Sequence, residues 1–252
     1  MALPDPATSA EAAEKAMARK VTDKTADKTA IRDAATVILW RSGKAGPEVL
    51  MGQRGAKAAF MPSKYVFPGG AVDPADNGVT LVEGLAAGCA TRLVLFPTSQ
   101  ASPETLAAAG IRELWEETGL ALGTPGEWQT PPEDAGHDWA GFAARGLCPS
   151  ASGMRFVFRA ITPPGRPRRF DARFFLVPAT RIAGDPEDFS AASDELTHLH
   201  WIGLDRVRGL DLPFITEVVL AEVSSILGDQ QTQPGVPFFD NSGATPLFRR
   251  LV

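Results

Sequence analysis

Short apolar segments separated by Gly, Pro and polar residues recur along most of the chain. Those rich in β-branched and aromatic residues predict strands, at residues 34–40, 48–54, 64–70, 154–162, 172–180 and 196–204. Residues 103–118 and 212–227 instead carry apolar side chains at helical spacing and predict helices. This mixed order of strands and helices predicts an α/β or α+β domain.

The first 30 residues differ in composition from the rest of the chain. They are rich in Ala, Lys, Thr, Asp and Glu and contain the repeat "DKTADKTA". This composition predicts a flexible or partly helical extension, residues 1–30, without a core of its own. A docked helix or an oligomer contact is the alternative. Residues 31–252 are expected to form one domain, because no boundary is strong enough to divide them.

Composition and charge narrow the function classes. A formal net charge of −5 argues against a broad basic surface for nucleic acid. The two cysteines, Cys89 and Cys148, form no CxxC motif, so we expect no disulfide framework and a reducing, cytoplasmic setting. The apolar runs are too short to span a bilayer, and the N-terminal residues lack a secretory pattern.

The segment "IRELWEETGL", residues 111–120, predicts a helix with three glutamates on one face. With Glu113 at zero, Glu117 falls at about +40° and Glu116 at about −60° around the helix. The opposite side is mostly apolar and consists of Ala107, Ile111, Leu114, Trp115 and Thr118. Residues suited to the helix ends are Ser102 and Pro103 at the start and Gly119 after the end.

The acidic face has two interpretations. Most charge runs are solvated surfaces. However, like charges three or four residues apart destabilise a helix by roughly 0.2–0.5 kcal/mol per pair, and Arg112 is the only basic residue in this helix. Carboxylate oxygens gathered on one rigid face are also what Mg²⁺ or Mn²⁺ requires. Spacing alone leaves both interpretations open.

With its surroundings, the segment resembles the Nudix box, Gly-x5-Glu-x7-Arg-Glu-U-x-Glu-Glu-x-Gly-U, in which U is aliphatic. "FPGG" at 67–70 is followed by a glutamate, seven further residues and "RELWEETGL". The matching residues are Glu104, Arg112, Glu113, Leu114, Glu116, Glu117, Gly119 and Leu120. The departure is the spacer between glycine and glutamate, an insertion of 33 residues (71–103) where the short form has five.

The resemblance implies an α/β fold of the Nudix type, an α/β/α sandwich with a central mixed sheet. It also implies hydrolysis of a diphosphate linkage with Mg²⁺ or Mn²⁺, held by Glu113, Glu116 and Glu117 with Glu104 as a further ligand. Arg112 belongs to the same catalytic set, and Glu116 or Glu117 accepts the proton of the attacking water. Because Glu104 falls about 180° from Glu113 on the extended wheel, we expect it to precede the regular helix or to pair with Arg112.

The stretch before the glycines, "VLMGQRGAKAAFMPSKYVFPGG", resembles the upstream signature of the coenzyme A diphosphatase branch. With "RRFDARFFL" and the insertion, it implies cleavage of coenzyme A or acyl-coenzyme A to adenosine 3′,5′-bisphosphate and a 4′-phosphopantetheine product. ADP-ribose and NADH are alternative substrates, and a non-catalytic nucleotide sensor is the alternative class. The expected partner is a small nucleotide diphosphate, not nucleic acid or membrane; a homodimer is left open.

Several residues are candidates for binding the substrate. They are Arg54, Lys57, Gly69, Gly70, Arg168 and Arg169. The first two precede the glycine turn and can bind phosphate oxygens, or can be surface cations of a hairpin. The last two, with Arg166, can bind a second phosphate such as the 3′-phosphate of coenzyme A. A solvated basic loop is the simpler interpretation of that arginine cluster.

Late in the chain, two pairs of side chains have a more limited interpretation. His198 and His200 share one face of a predicted strand, where we expect packing or hydrogen bonding because no third zinc ligand is evident. Asp194 and Glu195 precede this strand and can supply a carboxylate to the site from a late loop.

Overall fold

The computed structural model of the chain describes residues 30–56, 61–97, 101–128, 137–228 and 234–252. The predicted N-terminal extension therefore lies outside the described residues, except for Ala30. No helix in the described segments is both long and apolar enough to cross a membrane.

The described residues contain eleven strands and four helices. The strands are β1 (Ile31–Gly43), β2 (Gly46–Arg54), β3 (Tyr65–Val66), β4 (Gly69–Ala71), β5 (Gly123–Pro125), β6 (Leu147–Pro149), β7 (Arg155–Ile161), β8 (Arg169–Pro178), β9 (Leu196–Gly203), β10 (Val236–Asp240) and β11 (Leu247–Leu251). The helices are α1 (Ala87–Leu93), α2 (Pro103–Thr118), α3 (His137–Ala144) and α4 (Phe214–Leu227). Short 3₁₀ turns span Pro74–Gly78, Ala179–Arg181 and Val207–Gly209. Each predicted strand segment contains a strand, and both predicted helices are present.

One mixed sheet organises the domain. Its strand order is β11-β10-β7-β8-β1-β2-β3, with β4 also paired to β1 and β9 also paired to β2. The centre is a long parallel pair in which Ile31–Trp40 of β1 lies beside Arg169–Pro178 of β8. β4 runs antiparallel to the first half of β1, with Gly69 opposite Thr36, while β2 pairs with its second half. This register brings the glycine turn to the middle of the sheet.

Helices cover both faces of the sheet, so the predicted α/β/α sandwich is confirmed. Ala35, Val37 and Leu39 of β1 are buried in a core on the α2 side. The intervening Ile38 is buried in a second core with three residues of α4, namely Val219, Leu220 and Val223. This separation follows from the two-residue side-chain period of a strand. Full burial of each large aliphatic side chain contributes about 1.5–3 kcal/mol.

The insertion packs on the α2 side of the sheet. Its Leu93 belongs to the core on that side. Its backbone is tied to the residues around β6, since Val82 N–H donates to Pro149 O over 3.0 Å and Ala151 N–H donates to Glu83 O over 2.8 Å. The buried Arg159 also donates to Leu95 O over 2.8 Å. The described parts of the insertion are therefore integrated into the domain.

Candidate active site

Helix α2 is fixed at both ends by the residues that the sequence singled out. Ser102 is the N-cap, and its Oγ accepts the N–H of Thr105 over 3.1 Å. Pro103 is the first helical residue, and Gly119 ends the helix in the left-handed region at φ 73°. The predicted inward face is buried at Ala107, Ile111, Leu114 and Thr118, whereas Trp115 is half-buried. The glutamates consequently point away from this core.

Two glycines let β4 approach α2 closely. Gly69 N–H donates to Glu117 Oε2 over 2.8 Å. A Cβ at Gly69 would lie 2.5 Å from Ala35 O, and a Cβ at Gly70 would lie 2.5 Å from the Glu113 carboxylate. A side chain at Gly69 would therefore clash with the backbone of β1, and one at Gly70 would displace the Glu113 carboxylate of α2. The glycine turn and the acidic face come together as the box pattern implied.

Glu117 is the most constrained of the three glutamates. Its side chain is buried, and Oε1 has no hydrogen-bond partner. Burial raises the pKa of Glu117 well above its ordinary value, and the neighbouring Glu113 charge raises it further; the Gly69 hydrogen bond and Arg54 oppose this rise. Arg54 Nη2 lies 3.7 Å from Oε1. The structure thus brings the predicted Arg54 beside the acidic face.

Arg112 binds five acceptors beneath the glutamates. Nε and Nη2 donate to Asp76 over 2.9 and 3.1 Å, and Nη2 also donates to Ala71 O over 2.9 Å. Nη1 donates to Glu113 over 3.0 Å and to Glu116 over 2.9 Å. Burial lowers the pKa of Arg112, but the bond to Asp76 and the surrounding carboxylates outweigh it, and the net shift is upward. Arg112 is therefore charged and fixed.

Two expectations about Glu104 are wrong, and Asp76 takes the place expected for it beside Arg112. Glu104 lies within the first turn of α2 and is exposed, so it neither precedes the helix nor pairs with Arg112. It is nine residues before Glu113, roughly 13 Å along the helix axis, so the structure does not bring it to the proposed metal ligands. The partner of Arg112 is Asp76, which follows Gly70 after five residues, the spacing at which the short box has glutamate. The extra residues consequently follow Asp76 instead of separating it from the glycines.

The three glutamates do not form a ready coordination set. Across the described ranges, no three His, Cys, Asp or Glu side chains are grouped so that they could hold a metal ion. Glu113 and Glu116 are instead bonded to the same nitrogen of Arg112. The residues nevertheless fit a hard divalent cation, because the buried Glu117 Oε1 lacks a hydrogen-bond partner and carboxylate oxygens are the ligands these cations bind. Ligation by the glutamates stays a prediction.

The other predicted substrate-binding residues lie apart from this site or outside the described residues. Arg169 donates to Thr162 O over 3.0 Å and to Asn241 O over 2.9 Å, which ties the start of β8 to neighbouring backbone. Gly69 lies opposite Thr36 of β1, which lies opposite Phe174 of β8. Arg169 is five residues before Phe174, roughly 16 Å along the strand. Arg168 adjoins it, and Lys57 is not among the described residues. The structure therefore does not support a substrate role for Arg169.

Of the late-chain residues, Glu195 approaches the site. Burial is the largest cause of the raised pKa of Glu113 and of Glu117, and the Glu195 charge adds to both shifts. The loop before it is attached to α2, because Ser193 N–H donates to Glu116 O over 3.1 Å. The only indication of Glu195 in the sequence is its position before β9. By contrast, His200 Nδ1 is bonded to His198 O over 2.7 Å, as expected for hydrogen-bonded histidines.

Comparisons with known proteins agree with this fold. No protein-family model matches the chain. The chain is 29% identical over 180 residues to the Caenorhabditis elegans protein named "Putative nudix hydrolase 7", covering 68% of this chain and 51% of that protein. It thus spans about half the length of this curated relative. The crystal structure of a NUDIX hydrolase from Alicyclobacillus acidocaldarius is similar with a TM-score of 0.57 and 29% identity, over 82% of this chain and 99% of that one. These similarities, with the α/β/α fold and the box residues on α2, support assignment of the chain to the Nudix hydrolase superfamily.

Proposed function

We propose that this chain is a metal-dependent hydrolase that cleaves a diphosphate linkage in a nucleoside diphosphate derivative. The observation that carries the proposal is the buried Glu117 carboxylate, whose Oε1 lacks a hydrogen-bond partner and faces Arg54 at 3.7 Å. A diphosphate and a cluster of carboxylates repel each other unless cations neutralise both. The similarity to proteins named as Nudix hydrolases supports the same chemistry.

Glu117 and Glu113 would hold Mg²⁺ or Mn²⁺, and Glu116 would join them on leaving its bond to Arg112. When bound, such a cation neutralises phosphate charge, polarises the phosphoryl group and lowers the pKa of a water molecule. The Gly69 amide fixes the second oxygen of Glu117. Arg112 fixes the base of the cluster through Asp76.

Arg54 would bind an oxygen of the diphosphate, because its guanidinium is partly exposed beside the acidic face. This position would bring the substrate's phosphorus next to the carboxylates. Glu116 or Glu117 would accept the proton of the attacking water. Glu116 is the more exposed of the two, and burial raises the pKa of Glu117.

Coenzyme A or an acyl-coenzyme A is the proposed substrate. Support comes from the stretch that resembles the coenzyme A diphosphatase signature, because its Arg54 and Gly69 both lie against Glu117. Arg169, the other residue considered for this substrate, bonds backbone carbonyls instead. The substrate proposal therefore rests on the stretch around the glycine turn.

A product assay tests the proposal. Purified protein is incubated with coenzyme A, acetyl-coenzyme A, ADP-ribose or NADH, each with Mg²⁺, Mn²⁺ or EDTA, and the products are separated by chromatography. We expect metal-dependent release of adenosine 3′,5′-bisphosphate. AMP from ADP-ribose or NADH with intact coenzyme A would retain the chemistry and exclude the substrate. Metal and nucleotide binding without any cleavage would indicate a sensor.

Matched variants test the residues. Glu116→Gln and Glu117→Gln are each expected to lower turnover several hundredfold or more, on the order of 4 kcal/mol of activation barrier. Glu104→Gln, an equal charge change on the same helix, is expected to retain turnover. Wild-type rates in both of the first two variants would refute the site.

A further inference from the structure

A cavity lies between the insertion, strands β5 and β6 and the turn after β8, and its lining does not include Glu113, Glu116 or Glu117. Its volume is about 540 Å³, within the range of small-molecule sites. Arg145 lines it, and the Arg145 guanidinium lies 5.1 Å from the centre of the Trp115 ring. Trp115 points about 200° away from Glu113 around the helix. This cavity is consequently separate from the proposed metal site.

Three parts of the chain form the wall of the cavity. The insertion contributes Glu83, the paired strands β5 and β6 contribute Leu147, and the turn after β8 contributes Arg181 and Ile182. The Glu83 segment is held in place by its backbone bond to Ala151 and by Ser150 Oγ, which donates to Glu83 Oε2 over 3.0 Å. The insertion thus supplies part of the cavity wall.

The chemistry of the wall suits an anion with an apolar part. Among the lining residues, Arg145 and Arg181 outnumber the single carboxylate of Glu83, which accepts a hydrogen bond from Ser150. The exposed Asp188 is not a lining residue, although its charge interacts with that of Arg145. In the described parts of the chain, neither guanidinium forms an ion pair within 4.0 Å. One donor of Arg145 is used, by Gly119 O at 3.3 Å. Leu147 and Ile182 provide buried apolar surface beside these charges.

We propose that this cavity binds a small organic anion. Its phosphate or carboxylate group lies between Arg145 and Arg181, where guanidinium groups donate charge-assisted hydrogen bonds. Its apolar part packs on Leu147 and Ile182. The site is independent of the diphosphate chemistry proposed for the glutamates.

Binding of two probes to the full chain tests this proposal. Inorganic phosphate and phenyl phosphate are titrated in EDTA, so that no divalent cation can bridge either probe to the glutamates. Calorimetry measures affinity, and tryptophan fluorescence reports on Trp115 beneath Arg145. We expect saturable binding at one site, tighter for phenyl phosphate because its ring reaches the apolar wall. Arg145→Gln and Arg181→Gln should each weaken binding at least about tenfold.

Two control variants separate this site from other sources of binding. Arg208→Gln removes an equal charge from an exposed position in the 3₁₀ turn Val207–Gly209 and should leave affinity unchanged. Glu117→Gln should also leave it unchanged. Urea unfolding establishes that each variant is folded. The proposal is wrong if wild-type binding does not saturate, if the Arg145→Gln/Arg181→Gln double variant binds as tightly as wild type, or if either control weakens binding equally.

Discussion

Arg112 of α2 and Asp76 of the turn after β4 form a two-armed ion pair across 36 positions of the chain, at 2.9 and 3.1 Å. Both side chains are buried. The pair links the glycine turn to the helix that carries the glutamates. Arg112 neutralises the buried Asp76 carboxylate, and Asp76 is the main partner of Arg112, which also bonds Glu113 and Glu116.

Replacing Asp76 should therefore destabilise the domain. Asp76→Asn is expected to lower the free energy of unfolding by about 3 kcal/mol, because it leaves the Arg112 charge without its main partner. Urea unfolding measures the change. Glu104→Gln is the matched control and should shift stability by less than about 0.5 kcal/mol, since Glu104 is exposed. A larger loss of unfolding free energy in Glu104→Gln than in Asp76→Asn would instead indicate that Glu104 is the partner of Arg112.

Metal-free protein should lose stability as pH rises. Burial and the Glu113 charge hold the pKa of Glu117 above its unfolded value, so the folded state binds this proton more tightly. This stabilising contribution is complete below the unfolded pKa of about 4.3 and is lost as pH rises through the folded pKa. Urea unfolding in EDTA across this interval should show a smaller loss in Glu117→Gln. An equal slope in both proteins would contradict the assignment.

Divalent cations should reverse that loss at neutral pH. A ligand that binds only the folded state at 100 times its Kd adds roughly 2.7 kcal/mol. We expect Mg²⁺ or Mn²⁺ to raise the Tm of wild type and Glu104→Gln, but not of Glu117→Gln, in thermal melts against EDTA. A rise of the same size in Glu117→Gln would place the cation elsewhere.

Arg54 and Arg169 should respond differently to the same substitution. Arg54→Gln is expected to raise KM at least about tenfold, because it removes a charge-assisted contact to the diphosphate. Arg169→Gln should leave KM unchanged and lower the free energy of unfolding by about 1–3 kcal/mol, since it frees two backbone carbonyls. Steady-state kinetics and urea unfolding on both variants provide the comparison. An elevated KM in Arg169→Gln alone would reverse these roles.

Local features of α2 could be predicted from the sequence because they depend on neighbours within one or two turns. Ser102, Pro103 and Gly119 fix the ends of the helix through their own backbone and side-chain chemistry. The apolar face follows from the helical period, as at Ile111 and Leu114. The same reasoning identified the strands, since each is a short apolar run with its own boundaries.

Relationships across the sheet could not be predicted in this way. The helical wheel sets Glu104 opposite Glu113 and leaves Arg112 as its expected partner, but it does not identify Asp76, which comes from another element. Likewise, the sequence suggests that Arg169 is available to a ligand. In the fold it donates to two backbone carbonyls, Thr162 O after β7 and Asn241 O after β10. Both outcomes depend on the folded arrangement of distant segments.

The two ends of the insertion are joined directly. Asn77, next to Asp76, accepts a hydrogen bond from Thr105 in the first turn of α2 at 3.1 Å. Residues 78–104 therefore form a loop whose two ends lie close together. The entropic cost of closing such a loop changes slowly with its length. The proposed active site should therefore tolerate changes in the number of residues in this loop. Because its ends are joined, the loop that forms part of the cavity wall can differ in length or sequence without moving α2. A sequence motif with a fixed number of residues between the two halves of the box would not match this chain.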